Sequence, residues 1–415
     1  MKKIIYILLL FIAITSNAQQ KPNIVYILAD DMGWKDAGFT GSDFYLTPNL
    51  DKLAKQGMVF TNAYAAAGNC APSRACFVSG QYTPRHGVYA VTSTKRGPVK
   101  QMRLEPIPNS EEVAPSVYTI AEGLHDAGYR TAIFGKWHLG KRAGTLPGDQ
   151  GFDVDGSFNP PDDKDFQETN DPKGIYRITN GACEFMEKNK DHPFFIYVSH
   201  HATHMSIQAR KEMLDKFNDK AGKLQKNKRF AAMNTQMDDG IGILLQKIKD
   251  LGIEDNTLII FTSDNGGLPQ SPQAPLRGYK GMYYEGGIRV PFIARWPKTI
   301  KAGTVQNTPI IMLLTCLPHL WTLIKKRFHQ IKFWMARAWY LYSNKKKTLN
   351  SAPSSGIFLV ISISQTLAHV MMFSEAGLYL LLEKEIGNFC YSMKNGCLMV
   401  AAINLLKTTA LSCTT

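Results

Sequence analysis

An α/β architecture built on a mostly parallel sheet is predicted by three observations. The chain carries short, continuous apolar runs such as Ile24 to Leu28, amphipathic helical segments lie between them, and each run ends directly in charged or polar residues. Continuous apolar strands are buried on both faces, which is the mark of a parallel sheet covered by helices. Such sheets hold ligands outside the carboxyl ends of their strands. At 415 residues the chain suits one large α/β domain and a smaller one. A 44% hydrophobic and 20% charged composition is that of a globular protein and excludes a disordered or fibrous chain.

Taken in order, Met1 to Ala18 stands apart from this fold. Lys2 and Lys3 precede an apolar run, and Ser16-Asn17-Ala18 supplies small residues at a cleavage site, so 1-18 reads as a signal peptide cut near Ala18. The run is too short for a stable membrane span. Export to the periplasm or the extracellular space is the expectation. The first strand, Ile24 to Leu28, ends in Asp30-Asp31, where two adjacent carboxylates fit either a cation site or a solvated turn. Thr47 to Ala54 reads as a helix with Pro48 in its first turn, and Gly57 to Tyr64 as a single strand.

Next comes Asn69 to Gly87, where Cys70-Ala71-Pro72-Ser73-Arg74 marks a loop turning into a helix, since Pro72 suits a first helical turn. Free N–H groups and the helix dipole would favour an anion beside Cys70, with Arg74 one turn later. Taken by itself, Cys70 fits an ordinary buried cysteine as well. Val117 to Gly128 has helical spacing, and the strand Arg130 to Phe134 delivers Gly135-Lys136-Trp137-His138-Leu139-Gly140. Lys136 and His138, two apart on an extended segment, share a side, though a surface lysine and a packed histidine fit the same letters.

Asp149 to Lys173 reads as a long polar surface loop of the kind that shapes a pocket mouth. The strand Pro193 to Ser199 leads to His200, His201 and His204. Phe230 to Leu251 is an amphipathic helix whose Met233 and Met237 are core filler. Thr257 to Thr262 ends in Ser263-Asp264-Asn265, a second acid and amide at a strand's carboxyl end. Lys280 then lies in a Gly-rich loop before Glu285-Gly286-Gly287. The seven cysteines have no metal-ligand or redox spacing, and no disulfide framework is expected.

Cys-x-Pro-Ser-Arg followed by a helix and His86-Gly87, Gly-Lys-Trp-His-Leu-Gly, the His200 to His204 cluster, Ser-Asp-Asn-Gly-Gly and Glu285-Gly286-Gly287 together make the chain resemble the formylglycine-dependent (type I), arylsulfatase-like sulfatases from Lys21 to about Ile311. The resemblance implies an alkaline-phosphatase-like three-layer sandwich with a mostly parallel central sheet, in which the strands before Asp30 and before Cys70 are neighbours. It also implies that a maturation enzyme converts Cys70 to formylglycine, the nucleophile toward a sulfate ester of a carbohydrate or an aryl alcohol. A divalent cation, Ca²⁺ by its hard oxygen ligands, would be held by Asp30, Asp31, Cys70 as converted, Asp264 and Asn265. Arg74, Lys136 and Lys280 would balance negative charge, and His138 and His204 would hydrogen-bond or move protons, with His201 second to His204. Glu285 and Arg289 are expected to be scaffold. The alternatives are a phosphatase or phosphodiesterase of the same fold, and an inactive truncated binder.

Beyond Ile311 the sequence changes character. Residues 312-415 contain no Asp and set eleven Lys and Arg against three Glu, so more than half of the formal +14 charge comes from this tail. The basic balance therefore does not point to a nucleic-acid partner. Reading each codon from its third base turns Phe333-Trp334-Met335-Ala336 into Leu-Asp-Gly, because Trp and Met have single codons, and permits Lys-Ser-Leu-Val after it. Sulfatases typically carry that segment at this point. The same shift makes Leu314 to Thr322 compatible with Asp-Leu-Leu-Pro-Thr-Leu-Val-Asp. The expectation is a domain over 19-311, a frameshift near Ile310 to Leu313, a poorly ordered out-of-frame tail over 312-415, and a disrupted or absent C-terminal subdomain.

Overall fold

The computed structural model describes residues 21–95, 97–160 and 170–311, together with strands between 356 and 393. The signal segment and the codons that carry the frame argument lie outside the described residues. The chain divides into two units, Met1–Arg327 and Phe328–Thr415.

The first unit is organised on an eight-stranded sheet. Its strands are β1 (Asn23–Ala29), β2 (Met58–Phe60), β4 (Arg130–Gly135), β5 (Val154–Ser157), β6 (Phe194–Ser199), β7 (Thr257–Ser263), β8 (Phe292–Arg295) and β9 (Thr304–Gln306), while β3 (Ala63–Tyr64) pairs separately with β10 (Ile310–Ile311). The order is β5-β4-β6-β1-β7-β8-β2-β9. β1 runs parallel to β6 and β7, and β4 parallel to β5 and β6, with β8 the antiparallel member. All seven residues of β1 are buried, because helices cover both faces.

Alternation along the strands divides the core in two. Val25, Ile27 and Ala29, with Ile196, Val198, Ile259 and Phe261, pack against helices Pro48–Gln56, Ile175–Asn189 and Lys228–Asp250. Ile24, Tyr26 and Leu28, with Phe195, Tyr197 and Ile260, pack against helices Cys70–Ser79 and Ile120–Asp126. The result is the expected three-layer sandwich.

Four local expectations are corrected. Gly57 to Tyr64 is not one strand, since the chain turns at Thr61-Asn62 to give β2 and β3. Nor does the strand before Cys70 neighbour β1, whose partners are β6 and β7. Cys70 reaches the carboxyl ends of the strands through its helix, which lies across the sheet with Phe77 stacked on Tyr26 at 4.2 Å. The Asp149 to Lys173 segment is not all loop, because Val154–Ser157 adds an edge strand to β4. The helix read as Val117 to Gly128 begins at Ile120, where a capping box sets its start. The Thr119 hydroxyl accepts the Glu122 N–H at 3.1 Å and the Glu122 carboxylate accepts the Thr119 N–H at 2.6 Å.

The turn after β1 is locked by a buried acid. Asp36 accepts the Gly33 N–H at 2.8 Å and the Ser271 hydroxyl, joining this turn to the loop after β7. Burial pushes its carboxyl from the ordinary 3.8 up to about 6. The folded state then holds a proton that the unfolded chain releases, so this group's stabilisation falls as pH rises from about 4 to 6. Asp36→Asn is expected to flatten the wild-type decline across that window by on the order of 3 kcal/mol at most. Urea midpoints of both proteins at pH 4.5 and 6.5 check this.

In the second unit, Gly356–Ser364, Leu367–Ser374, Gly377–Leu382 and Phe389–Met393 form an antiparallel four-stranded sheet in sequence order. The unpatterned sequence there does not announce these strands. No described helix of either unit is long and apolar enough to cross a membrane.

Candidate active site

The adjacent strands β4, β6, β1 and β7 end on the same edge of the sheet, and the expected site residues follow directly from them: Lys136 and His138, His200 to His204, Asp30 and Asp31, Asp264 and Asn265. Cys70 enters from the side as the first residue of its helix. Asn69 is its extended N-cap, and the Ser73 N–H donates to the Asn69 carbonyl at 3.1 Å. All ten residues of this helix are buried, with Cys70 only 1% exposed. Among the described residues, Cys70, Cys76 and Cys183 are free.

One ligand atom from each of Asp30, Cys70 and Asp264 lies within 4.8 Å of the others. The Asp31 N–H donates to Asp264 Oδ1 at 3.1 Å, and Asn265 Nδ2 donates to Asp31 Oδ1 at 2.8 Å, binding the acids into one cluster. Asp31 has a left-handed backbone (φ 68°), tolerated by a short polar side chain, that lets both neighbouring carboxylates serve one locus. Asp30 Oδ1 and Asn265 Oδ1 are buried oxygens without a hydrogen-bond partner. Buried oxygen acceptors of this kind, beside the Cys70 sulfur, fit a hard divalent cation.

Three cations balance the three carboxylates. The Lys136 ammonium sits 2.5 Å from Asp30 Oδ2 and that of Lys280 2.7 Å from Asp31 Oδ2. Burial opposes both charges, but the facing carboxylates win and raise both pKa values above the ordinary lysine value. Arg74 is fully buried and pairs with Asp264 at 2.7 Å while reaching Asp30 at 3.7 Å. Its remaining N–H groups donate to the Lys136 carbonyl at 3.1 Å and to the Ser199 hydroxyl. Its guanidinium thus holds Asp264 and Asp30 in place. Burial resists ionisation of Asp30, yet Lys136 and Arg74 together hold its carboxyl well below the usual range. Burial and the Asp30 charge push Asp264 the other way. Burial also pushes the Cys70 thiol up, beyond what Lys136 offsets. As a thiol, Cys70 is protonated and inert.

The histidines separate by environment. Lys136 and His138 do not share an extended segment, since β4 ends at Gly135 (φ 100°) and His138 is left-handed (φ 64°). Burial and the Lys136 charge lower His138 to about 3, so it is neutral, and its Nδ1 is buried without a hydrogen-bond partner. His200 is buried and lowered to about 4 by burial alone, apart from the site's charges. His201 is tied through Nε2 to the Phe158 carbonyl at 2.8 Å. His204 is the more exposed, with Nε2 3.8 Å from Asp31 Oδ2.

Sequence reasoning passed over the residues that brace the acids. Thr203 N–H donates to the Asp30 carbonyl at 2.6 Å, and the Ser263 hydroxyl accepts the Met32 N–H at 2.9 Å while donating to the Asn265 carbonyl at 3.0 Å. Ser199 and Ser263, hydroxyls at the last position of parallel strands, were the available signal. Glu285 and Arg289 pair at 3.1 Å, and they bind Tyr64 at 2.8 Å and the Thr61 carbonyl at 2.7 Å, away from the acids.

The Lys280 loop is set by backbone packing. Lys280 N–H donates to the Gly267 carbonyl at 2.9 Å and Gly281 N–H to the Gly68 carbonyl at 2.7 Å. A Cβ on Gly287 would meet the Met282 carbonyl oxygen at 2.0 Å. Gly287→Ala is therefore expected to displace Lys280 from Asp31 and lower turnover by about 100-fold or more. Steady-state kinetics, with circular dichroism as the folding control, measure it.

Residues 22–321 match the Sulfatase family model. The chain belongs to the sulfatase family. It is similar to N-acetylgalactosamine-6-sulfatase of Homo sapiens, 34% identical over an alignment of 327 residues that covers 70% of this chain and 60% of that protein. A sulfatase of Formosa agariphila is 32% identical over 380 residues, covering 73% and 68%. Among solved structures, that of Ps i-CgsB in complex with k-i-k-neocarrahexaose aligns with a TM-score of 0.67 at 26% identity, covering 94% of this chain and 92% of that one. This sulfatase chain spans about three fifths of the length of its human relative.

Proposed function

We propose that the chain is a sulfuric ester hydrolase acting on sulfated carbohydrates, with Cys70 as the precursor of a formylglycine made by a maturation enzyme. The observation that carries the reading is the buried convergence of Cys70, Asp30 and Asp264, with Lys136 closing on Asp30 and Lys280 on the adjacent Asp31. The relative named N-acetylgalactosamine-6-sulfatase and the structure solved with k-i-k-neocarrahexaose support a carbohydrate substrate.

Once converted, Cys70 would supply a hydroxyl nucleophile toward sulfur, and a bound Ca²⁺ would supply positive charge to offset the sulfate's. Asp30, Asp31, Asp264 and Asn265 would hold the cation, because they offer hard oxygens in one buried cluster. Lys136 and Lys280 neutralise negative charge that builds on the sulfate oxygens. His138, neutral at working pH, hydrogen-bonds rather than donates a proton. His204, more exposed and facing Asp31, is better placed to protonate the departing alcohol. Arg74 positions Asp264 and Asp30.

The matured chain is expected to release inorganic sulfate from a sulfated saccharide, to lose that activity on dialysis against EGTA, and to regain it with Ca²⁺. Ca²⁺ is also expected to raise the melting temperature, by linkage to the folded state. A matured chain that releases no sulfate, or is equally active and equally stable without the cation, contradicts the reading. Export follows the signal peptide read at Met1 to Ala18. The out-of-frame tail is likewise a proposal, and resequencing the locus near the codons of Ile310 to Leu313 tests it, since an intact frame with the present codons removes it.

A further inference from the structure

We propose that the loop from Arg277 to Tyr284 is a saccharide-binding platform, on which the sugar ring next to the sulfated one stacks. The inference rests on the sulfate-ester reading and extends it from the sulfate group to the chain that bears it.

Among the described residues, every exposed aromatic side chain lies in this loop: Tyr279 at 41%, Tyr283 at 61% and Tyr284 at 48%. Elsewhere the described aromatic rings are buried or half-buried. Three exposed tyrosines within six residues leave more ring surface in solvent than folding alone requires. Exposed tyrosines offer flat apolar faces with a polar tip at little conformational cost, which suits the faces and hydroxyls of a pyranose ring.

The loop that carries these rings reaches the site. Lys280, between Tyr279 and Tyr283, reaches Asp31 at 2.7 Å, so a ligand whose sulfate meets Lys280 extends over the residues beside it. The loop is also preorganised. Lys280 N–H and Gly281 N–H are fixed to the Gly267 and Gly68 carbonyls, and Gly286 N–H donates to the Arg277 carbonyl at 2.8 Å. The Arg277 guanidinium lies 3.9 Å from the centre of the Tyr284 ring, which fixes that ring and adds positive charge for an anionic polymer. A rigid aromatic surface spends little entropy on capture.

The test uses the full chain and three probes, namely 4-nitrophenyl sulfate, an N-acetylgalactosamine 6-sulfate monosaccharide and a tetrasaccharide containing it. Binding is read by calorimetry on chain produced without the maturation enzyme, so that nothing turns over. Replacing Tyr279, Tyr283 and Tyr284 together by Ala is expected to raise the tetrasaccharide Kd by about tenfold or more and the monosaccharide Kd by less than about twofold. Replacing all three by Phe keeps the rings and is expected to hold both within about twofold, which separates stacking from misfolding. An unchanged tetrasaccharide Kd, an equal loss for both saccharides, or a wild type that binds the tetrasaccharide no tighter than the monosaccharide overturns the platform. Failure of the hydrolase reading shows separately, as a matured wild type that releases no sulfate from 4-nitrophenyl sulfate or the saccharides.

Discussion

Replacing Cys70 by alanine is expected to leave a folded chain whose kcat/KM for sulfate ester hydrolysis falls by about 10⁴-fold or more. The substitution removes one buried sulfur from a helix start that carries no side-chain cap, so the structural cost is small, about 1–2 kcal/mol. The chemical cost is large because nothing nearby can replace the nucleophile. Ser73, three residues on, is fully buried, and the neighbouring acids are held by Arg74, Lys136 and Lys280. The thiol itself is equally poor, since burial keeps it protonated. Sulfate release by wild type and variant, paired with the mass of the Cys70 peptide, decides the point. Full turnover by a chain whose Cys70 is still a thiol would remove the mechanism.

Arg74→Met is expected to produce the largest stability loss, about 3–5 kcal/mol at neutral pH. The guanidinium is fully buried between Asp264, Asp30, Ser199 and the Lys136 carbonyl, and its loss strands buried carboxylates. Lysine cannot substitute, because one ammonium cannot serve all these acceptors from the same position. The deficit has a defined pH dependence. Asp30 has a folded-state pKa below its unfolded value, so its stabilisation is present above about 4 and disappears as pH falls through the folded value. Without Arg74 that folded value rises, and protonation relieves the stranded charge. The gap between wild type and Arg74→Met in urea is thus expected to be widest near pH 7 and to narrow toward pH 4. A gap that widens on acidification contradicts this account.

Much of the site was legible because its residues occupy positions fixed by local rules. Asp30, Lys136, His204 and Asp264 each follow an apolar strand, and a parallel sheet gathers such positions at one edge. The sequence could not show which face the cysteine helix would cover, since that depends on Phe77 finding Tyr26, a long-range contact. Nor could it show that β2 and β3 separate, or that Val154–Ser157 pairs at the edge, because very short strands have no usable periodicity. The capping box at Thr119 and Glu122 was readable and would have placed the helix start correctly. Arg74, expected to face an anion, pairs here with Asp264 and Asp30. Its one-turn spacing from Cys70 gave the direction of its side chain but not its partners.

The complete burial of Cys70–Ser79 imposes an order of events. Five residues around Cys70 cannot enter another protein's cleft while their helix lies packed across Tyr26 and Tyr197. Any enzyme that alters Cys70 must therefore meet the segment before the sheet closes over it, and a chain that folds first is committed to its thiol. On the proposed conversion, chemistry at this residue would race folding, and the state of Cys70 in the finished molecule would record which of the two came first.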